Sequence, residues 1–103
     1  MSELHQPQRP ALGVAVIIKH RNTVLVGRRR TSPMRDSWQL PGGWVFEGDS
    51  PQQAAQRQLE NFPNMRCKPL NCVAYTNNVF ESGLHTLSLY FQTICLNAES
   101  LNL

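Results

Sequence analysis

Long apolar runs are missing from this chain. The longest, Val14 to Ile18, is five residues, and a helix crossing a bilayer needs about 20. A membrane-embedded protein is therefore not expected. Cysteine is scarce. Cys67, Cys72 and Cys95 make an odd number without the paired spacing of a zinc site. The first ten residues, MSELHQPQRP, are polar and hold Pro7 and Pro10, so they do not read as a secretory leader. The three cysteines are accordingly expected as reduced, packed thiols in a cytoplasmic protein. Repeats and low-complexity tracts are also absent. The net charge of +3 and pI near 9.1 give a mildly basic chain. That balance favours phosphate-bearing partners without naming one. It falls short of a nucleic-acid surface, because the basic residues are not interleaved with aromatics. At 103 residues there is room for one small domain with a thin stability margin.

The residues present divide into short, well-punctuated segments. Residues 1–10 read as a loosely attached arm, and residues 11–96 as one domain with a tail over 97–103. Ala11 to Lys19 (ALGVAVIIK) is continuous and β-branched, which predicts a strand buried on both faces. His20-Arg21-Asn22 forms a polar turn and Thr23 to Gly27 a second strand, so the two make a hairpin. Arg28 to Asp36 is a basic loop with Arg28, Arg29, Arg30 and Arg35. Three readings of it stand: a solvated loop, a patch for nucleic acid, or arginines facing a bound phosphate. Ser37 to Leu40 is a short strand entering a Pro41-Gly42-Gly43 turn, and Trp44 to Phe46 returns from it. Glycines there would let a ligand approach the main chain.

A helix follows the acidic loop of Glu47 and Asp49. Ser50 is a good N-cap, Pro51 suits the first helical position and Gln53 completes a capping box. Ala55, Leu59 and Phe62 form an apolar stripe, and Pro63 ends a helix of about three turns. A glycine turn beside acids and a helix start is a plausible phosphate site. Two strands come next, Leu70 to Asn77 and a long central one from His85 to Leu96, joined by a turn at Glu81-Ser82-Gly83. One helix among strands of mixed direction makes an α/β (α+β) sandwich.

The segment from Gly43 to Met65 resembles the Nudix (MutT-like) family, whose box reads G-x5-E-x7-R-E-U-x-E-E-x-G-U with U a bulky aliphatic residue. Gly43 takes the first place, Asp49 stands for the first glutamate, and Arg57, Leu59 and Met65 match. The flanks VLVGRR, SWQLPGGWV, TNNVF and HTLSLYF are similar to the branch acting on nucleoside triphosphates. The resemblance spans residues 11–96. It implies a mixed sheet with a loop-helix motif, and hydrolysis of a nucleoside diphosphate linked to another moiety. It implies Mg²⁺ or Mn²⁺ as the cofactor and a nucleotide as the partner. Carried onto this sequence, it makes Asp49, Arg57 and Glu60 the catalytic candidates. Glu47, Asp49 and Glu60 are the metal candidates, and Arg29, Gly42, Gly43, Trp44 and Ser88 the substrate-binding ones. Arg57 is expected to brace the loop through Glu47, Asp49 or loop carbonyls.

Besides Asp49 in place of the first glutamate, four box positions depart from the family. Gln58, Asn61 and Phe62 replace glutamates, and Asn64 replaces the glycine. A box so short of acids implies weak or lost hydrolysis, with a nucleotide-binding or protein-interaction domain as the alternative. The family's second, closing helix has no counterpart before Leu103. A sheet face left open in that way would seek a partner, for instance a homodimer. Single residues have plainer readings beside these: Glu60 as a solvated helix charge pairing with Arg57 or Arg66, Trp44 as rim packing, and His85 as structural.

Overall fold

The computed structural model describes residues 9–28, 35 and 37–97. The arm over residues 1–8, the tail over 98–103, and Arg29 and Arg30 of the basic loop lie outside them. Strand β1 (Ala11–His20) is the hub. Its side chains alternate between two sides of the sheet, as extended backbone requires. Val14, Val16 and Ile18 point to one side and are all 4% exposed or less. Gly13, Ala15 and Ile17 take the other side.

Both edges of β1 are paired. On one edge, β2 (Thr23–Val24) and β5 (Gly42–Trp44) run antiparallel to it. On the other, β7 (His85–Ile94) runs parallel along nearly its full length, from Ala11 opposite Thr86 to Lys19 opposite Ile94. Strand β6 (Asn71–Val79) completes the sheet, antiparallel to β7. A separate ribbon joins β3 (Gly27–Arg28) to β4 (Trp38–Gln39). The single helix among the described residues, α1 (Pro51–Leu59), lays Ala54 and Ala55 on the Val14, Val16 and Ile18 face. Alanines let the helix come close. Leu59, Phe62 and Met65 pack at the margin of this core. The mixed α+β architecture is as expected, with β7 central between β1 and β6.

The helix start follows its sequence signals. Ser50 Oγ accepts from the Gln53 backbone N–H at 3.1 Å, and Gln53 Oε1 accepts from the Ser50 N–H at 2.7 Å. Two N–H groups that the first helical turn leaves without partners are thereby satisfied. The stop is earlier than expected. Regular helix ends at Leu59, and the Glu60 N–H bonds back to Arg57 and Gln58 carbonyls. A tighter turn then carries the chain through Asn61 and Phe62, with the Phe62 N–H on the Leu59 carbonyl at 3.0 Å. The expected strand Thr23–Gly27 is divided as well, because Leu25 turns inward and is buried between β2 and β3.

The largest correction concerns Pro41-Gly42-Gly43. The glycines do not make a turn. They are the first two residues of β5, with Gly42 opposite Ala15 and Gly43 opposite Val14. At Gly42 the need for glycine is steric, since its neighbour is backbone, whereas at Gly43 the neighbour is the end of a flexible side chain. A Cβ on Gly42 would lie 2.6 Å from the Val14 carbonyl oxygen, and one on Gly43 would lie 2.7 Å from Gln58 Nε2. Positive φ belongs instead to Gly48, at +89°, in the loop before α1. Gly42→Ala is thus expected to cost about 1–3 kcal/mol, since backbone must move to admit the methyl group. Gly27→Ala, where nothing lies within 4 Å of the added Cβ, should change stability by less than about 0.5 kcal/mol. Urea midpoints of the two variants check the contrast.

Candidate functional site

The loop over 45–49 and α1 are fastened by one ion pair. Arg57 donates from Nη2 to Asp49 Oδ2 at 2.7 Å. The same guanidinium lies over the Phe46 ring, 5.5 Å from its centroid. Arg57 therefore holds the loop at two points; Asp49 was among the partners expected from the sequence, and Phe46 was not. The Arg57 hydrogen bond holds the Asp49 carboxyl below its ordinary value of 3.8, and the guanidinium charge adds to this. Desolvation acts in the opposite direction and loses.

At the next residue of α1, Gln58 lies against Gly43 of β5. Gln58, Asn61 and Phe62 then form one wall of a cleft of about 330 Å³. Leu40, Pro41 and Gly42 form part of the facing wall. The cleft is thus bounded by close-lying main chain on one side and by two neutral amides and a ring on the other. Such a surface can donate and accept hydrogen bonds but carries no charge of its own.

The sequence-derived site residues do not all meet there. Gly43 shares the helix side of the sheet with Val14, next to α1. Trp44 and Ser88 fall on the opposite side. They stand in one row across the sheet, in which Trp44 pairs with Gly13, Gly13 with Ser88, and Ser88 with Thr76. Ser88 is half-buried and Trp44 is 52% exposed. Glu47 is exposed in the loop, and Glu60 is exposed at the helix C-cap. In the basic loop, Arg28 lies over the Trp38 ring at 5.0 Å, so that cation is engaged with an aromatic face. Arg29 lies outside the described residues. His85 shares a hydrogen bond with Asn77 Oδ1 at 2.5 Å, tying β7 to β6.

The metal candidates test poorly against this geometry. Among the described residues, no three His, Cys, Asp or Glu side chains come together in a group that could hold an ion. Glu47, Asp49 and Glu60 do not form such a group, and the Asp49 carboxylate is already bonded to Arg57. Mg²⁺ prefers hard, charged oxygen donors, whereas Gln58 and Asn61 offer neutral amides. The described residues therefore do not fit the Mg²⁺ or Mn²⁺ cage that the resemblance implies.

Comparison with known proteins settles the family. The NUDIX domain model matches residues 7–85. The chain belongs to the Nudix family. It is 40% identical over 53 residues to an RNA pyrophosphohydrolase of Cereibacter sphaeroides, covering 52% of this chain and 32% of that protein. An RNA pyrophosphohydrolase of Hydrogenovibrio crunogenus is 25% identical over 95 residues, covering 90% of this chain and 55% of the relative. This Nudix chain therefore spans about a third to a half of the curated relatives it matches. Among solved structures, a MutT/nudix protein of Enterococcus faecalis superposes with a TM-score of 0.74 at 19% identity, over 90% of this chain and 39% of that one. That likeness concerns the fold.

Two cleft residues, Gln58 and Asn61, were read from sequence only as lost acids. Their positions three apart beside Arg57 put them on one helical face, which was the available signal for a shared wall. The Asp49–Arg57 pair has a pH signature. Because the folded pKa of Asp49 is depressed, its contribution to stability is present above the unfolded value. It is lost as pH falls below 3.8 through the folded value. A carboxyl-carbon NMR titration should place Asp49 below 3.8 and return it toward 3.8 in Arg57→Ala; equal values in the two proteins would remove the pair from the account.

Proposed function

We propose that this Nudix domain takes a nucleoside diphosphate linked to another moiety, such as a nucleoside triphosphate, in the cleft between β5 and α1, and hydrolyses the linkage only slowly. The carrying observation is the cleft itself. Its glycine strand lies against α1, the helix that Arg57 ties to the preceding loop at Asp49, while its walls at Gln58, Asn61 and Phe62 hold no carboxylate. The family supplies the reaction class, which is attack of water on a diphosphate linkage. Amide N–H groups of Gln58 and Asn61 suit phosphate oxygens as hydrogen-bond acceptors.

A second reading, a nucleotide-binding domain without turnover, is favoured by the same shortage of acids. The RNA pyrophosphohydrolases among the relatives add 5′-polyphosphorylated RNA to the candidate substrates. A cytoplasmic location is part of this proposal, as the compartment where such a nucleotide substrate would be met.

The test is a panel of nucleoside triphosphates, nucleoside diphosphate conjugates and 5′-triphosphate RNA. Binding is followed by calorimetry and product release by chromatography, with and without Mg²⁺ or Mn²⁺. Binding with slow release is expected for the natural chain. The double variant Gln58→Glu/Asn61→Glu should raise metal-dependent release at least tenfold, because it supplies hard oxygen donors on the cleft wall. Phe62 is left in place because it packs on the core. Absence of binding to every panel member would sink the proposal. Binding without release would leave only the second reading. Fast release by the natural chain would overturn the role given to the missing acids.

A further inference from the structure

A second feature lies away from the β5–α1 cleft, where the chain leaves α1 and meets the end of β7. Cys67 and Cys95 face each other there in an isolated antiparallel bridge. The flanking main-chain bonds run from the Lys68 N–H to the Ile94 carbonyl at 3.0 Å and from the Leu96 N–H to the Arg66 carbonyl at 2.8 Å. The two cysteines themselves exchange no backbone hydrogen bond. They form the closer type of antiparallel pair, with Cα atoms about 4.5 Å apart and side chains on the same side. That separation falls within the range of about 4.4–6.8 Å bridged by disulfides. Both thiols are free.

Their surroundings differ in a useful way. Cys95 is 2% exposed. Its backbone is fixed on both sides: its N–H donates to the Lys19 carbonyl at 2.7 Å, and its carbonyl accepts from His20 Nδ1 at 3.1 Å. Cys67 is half-buried and lines an open cleft of about 610 Å³ together with Leu59, Met65 and Lys68. One thiol is thus reachable from solvent and the other waits beneath it. Burial pushes the Cys67 thiol above the ordinary range, and the neighbouring Cys95 sulfur adds to the push. This slows a first attack without changing its product.

We propose that Cys67 and Cys95 are a thiol pair that forms an intramolecular disulfide by exchange with a small-molecule disulfide such as oxidised glutathione. The Cys67 thiol gives its proton to water, and the thiolate attacks one sulfur of the small disulfide. An S–S bond forms at Cys67, the small disulfide's own S–S bond breaks, and one thiolate leaves and is protonated. The Cys95 thiolate, after losing its own proton, attacks the Cys67 sulfur of the mixed disulfide and expels the second thiol. Two protein thiols are oxidised and one small disulfide is reduced to two thiols. The product ties the segment after α1 to the end of β7. Cys72 is exposed on β6 and has no part in it.

The test uses the full chain carrying Cys72→Ser, incubated with oxidised glutathione and then digested without reduction. Mass spectrometry should find the Cys67 and Cys95 peptides joined and two hydrogens lost from the intact chain. The oxidised protein should melt roughly 5–15 °C higher than the reduced one, because the cross-link closes a loop in the unfolded chain. Dithiothreitol should reverse the shift. Adding Cys95→Ser should instead trap glutathione on Cys67, and adding Cys67→Ser should abolish both products. A stable glutathione adduct on Cys67 with Cys95 intact and still alkylatable would overturn the proposal. So would two thiols that stay free throughout the incubation.

Discussion

Everything in this molecule hangs on β1 being hydrogen-bonded along both edges. One edge carries β7 in parallel, and the other carries β5 and β2 in succession. A strand so enclosed has no solvent-facing edge over most of its length, so its backbone groups must be met by protein. Its β-branched residues then serve both requirements. They favour extended backbone, and on one side they supply the apolar bed on which α1 rests. The position of α1 follows from that bed, the Gln58 contact to Gly43 follows from the position of α1, and the cleft follows from the contact.

This dependence explains why glycine stands at two successive positions of β5. The sequence suggested a turn, because Pro-Gly-Gly is good turn chemistry. The alternative, a strand pressed against a neighbouring carbonyl on one side and a helix side chain on the other, depends on contacts with residues far away in the chain. Local sequence carries no trace of Val14 or Gln58 at that point. The capping box of α1 was legible for the opposite reason, since all its partners lie within four residues. The early end of α1 falls between these cases: Pro63 marks where helix becomes impossible, and the chain tightens a turn sooner, where Phe62 packs at the core margin.

The candidate site was legible in part for similar reasons. The Arg57–Asp49 clamp joins residues eight apart, at positions that the family motif names. The division of Gly43 from Trp44 and Ser88 across two sides of the sheet follows from strand period, but only once the register of β5 on β1 is known. The cysteines show the same limit. Expected as interior packing, only Cys95 is buried, and Cys72 lies open on β6. The pairing of Cys67 with Cys95 belongs to a short bridge just past the end of β7, and Cys67 lies outside every predicted strand. Phe62 lines both clefts, so one packed ring separates the amide-walled surface from the thiol-bearing one.

Strand β6 carries one more consequence. All nine of its residues are exposed, its outer edge is unpaired among the described residues, and none of them is charged. Tyr75 and Val79 are among the large apolar side chains it leaves open. Edges of this kind are usually guarded by lysine, proline or a short length. Here a single bulge near Cys72 is the local irregularity, and the remaining guard is long-range repulsion from a net charge of +3. Salt shrinks the reach of that repulsion to about 8 Å at physiological strength. Colloidal behaviour should therefore run opposite to that of a protein held apart by local edge charges: dilute buffer keeps copies separate, and added salt lets uncharged edges meet.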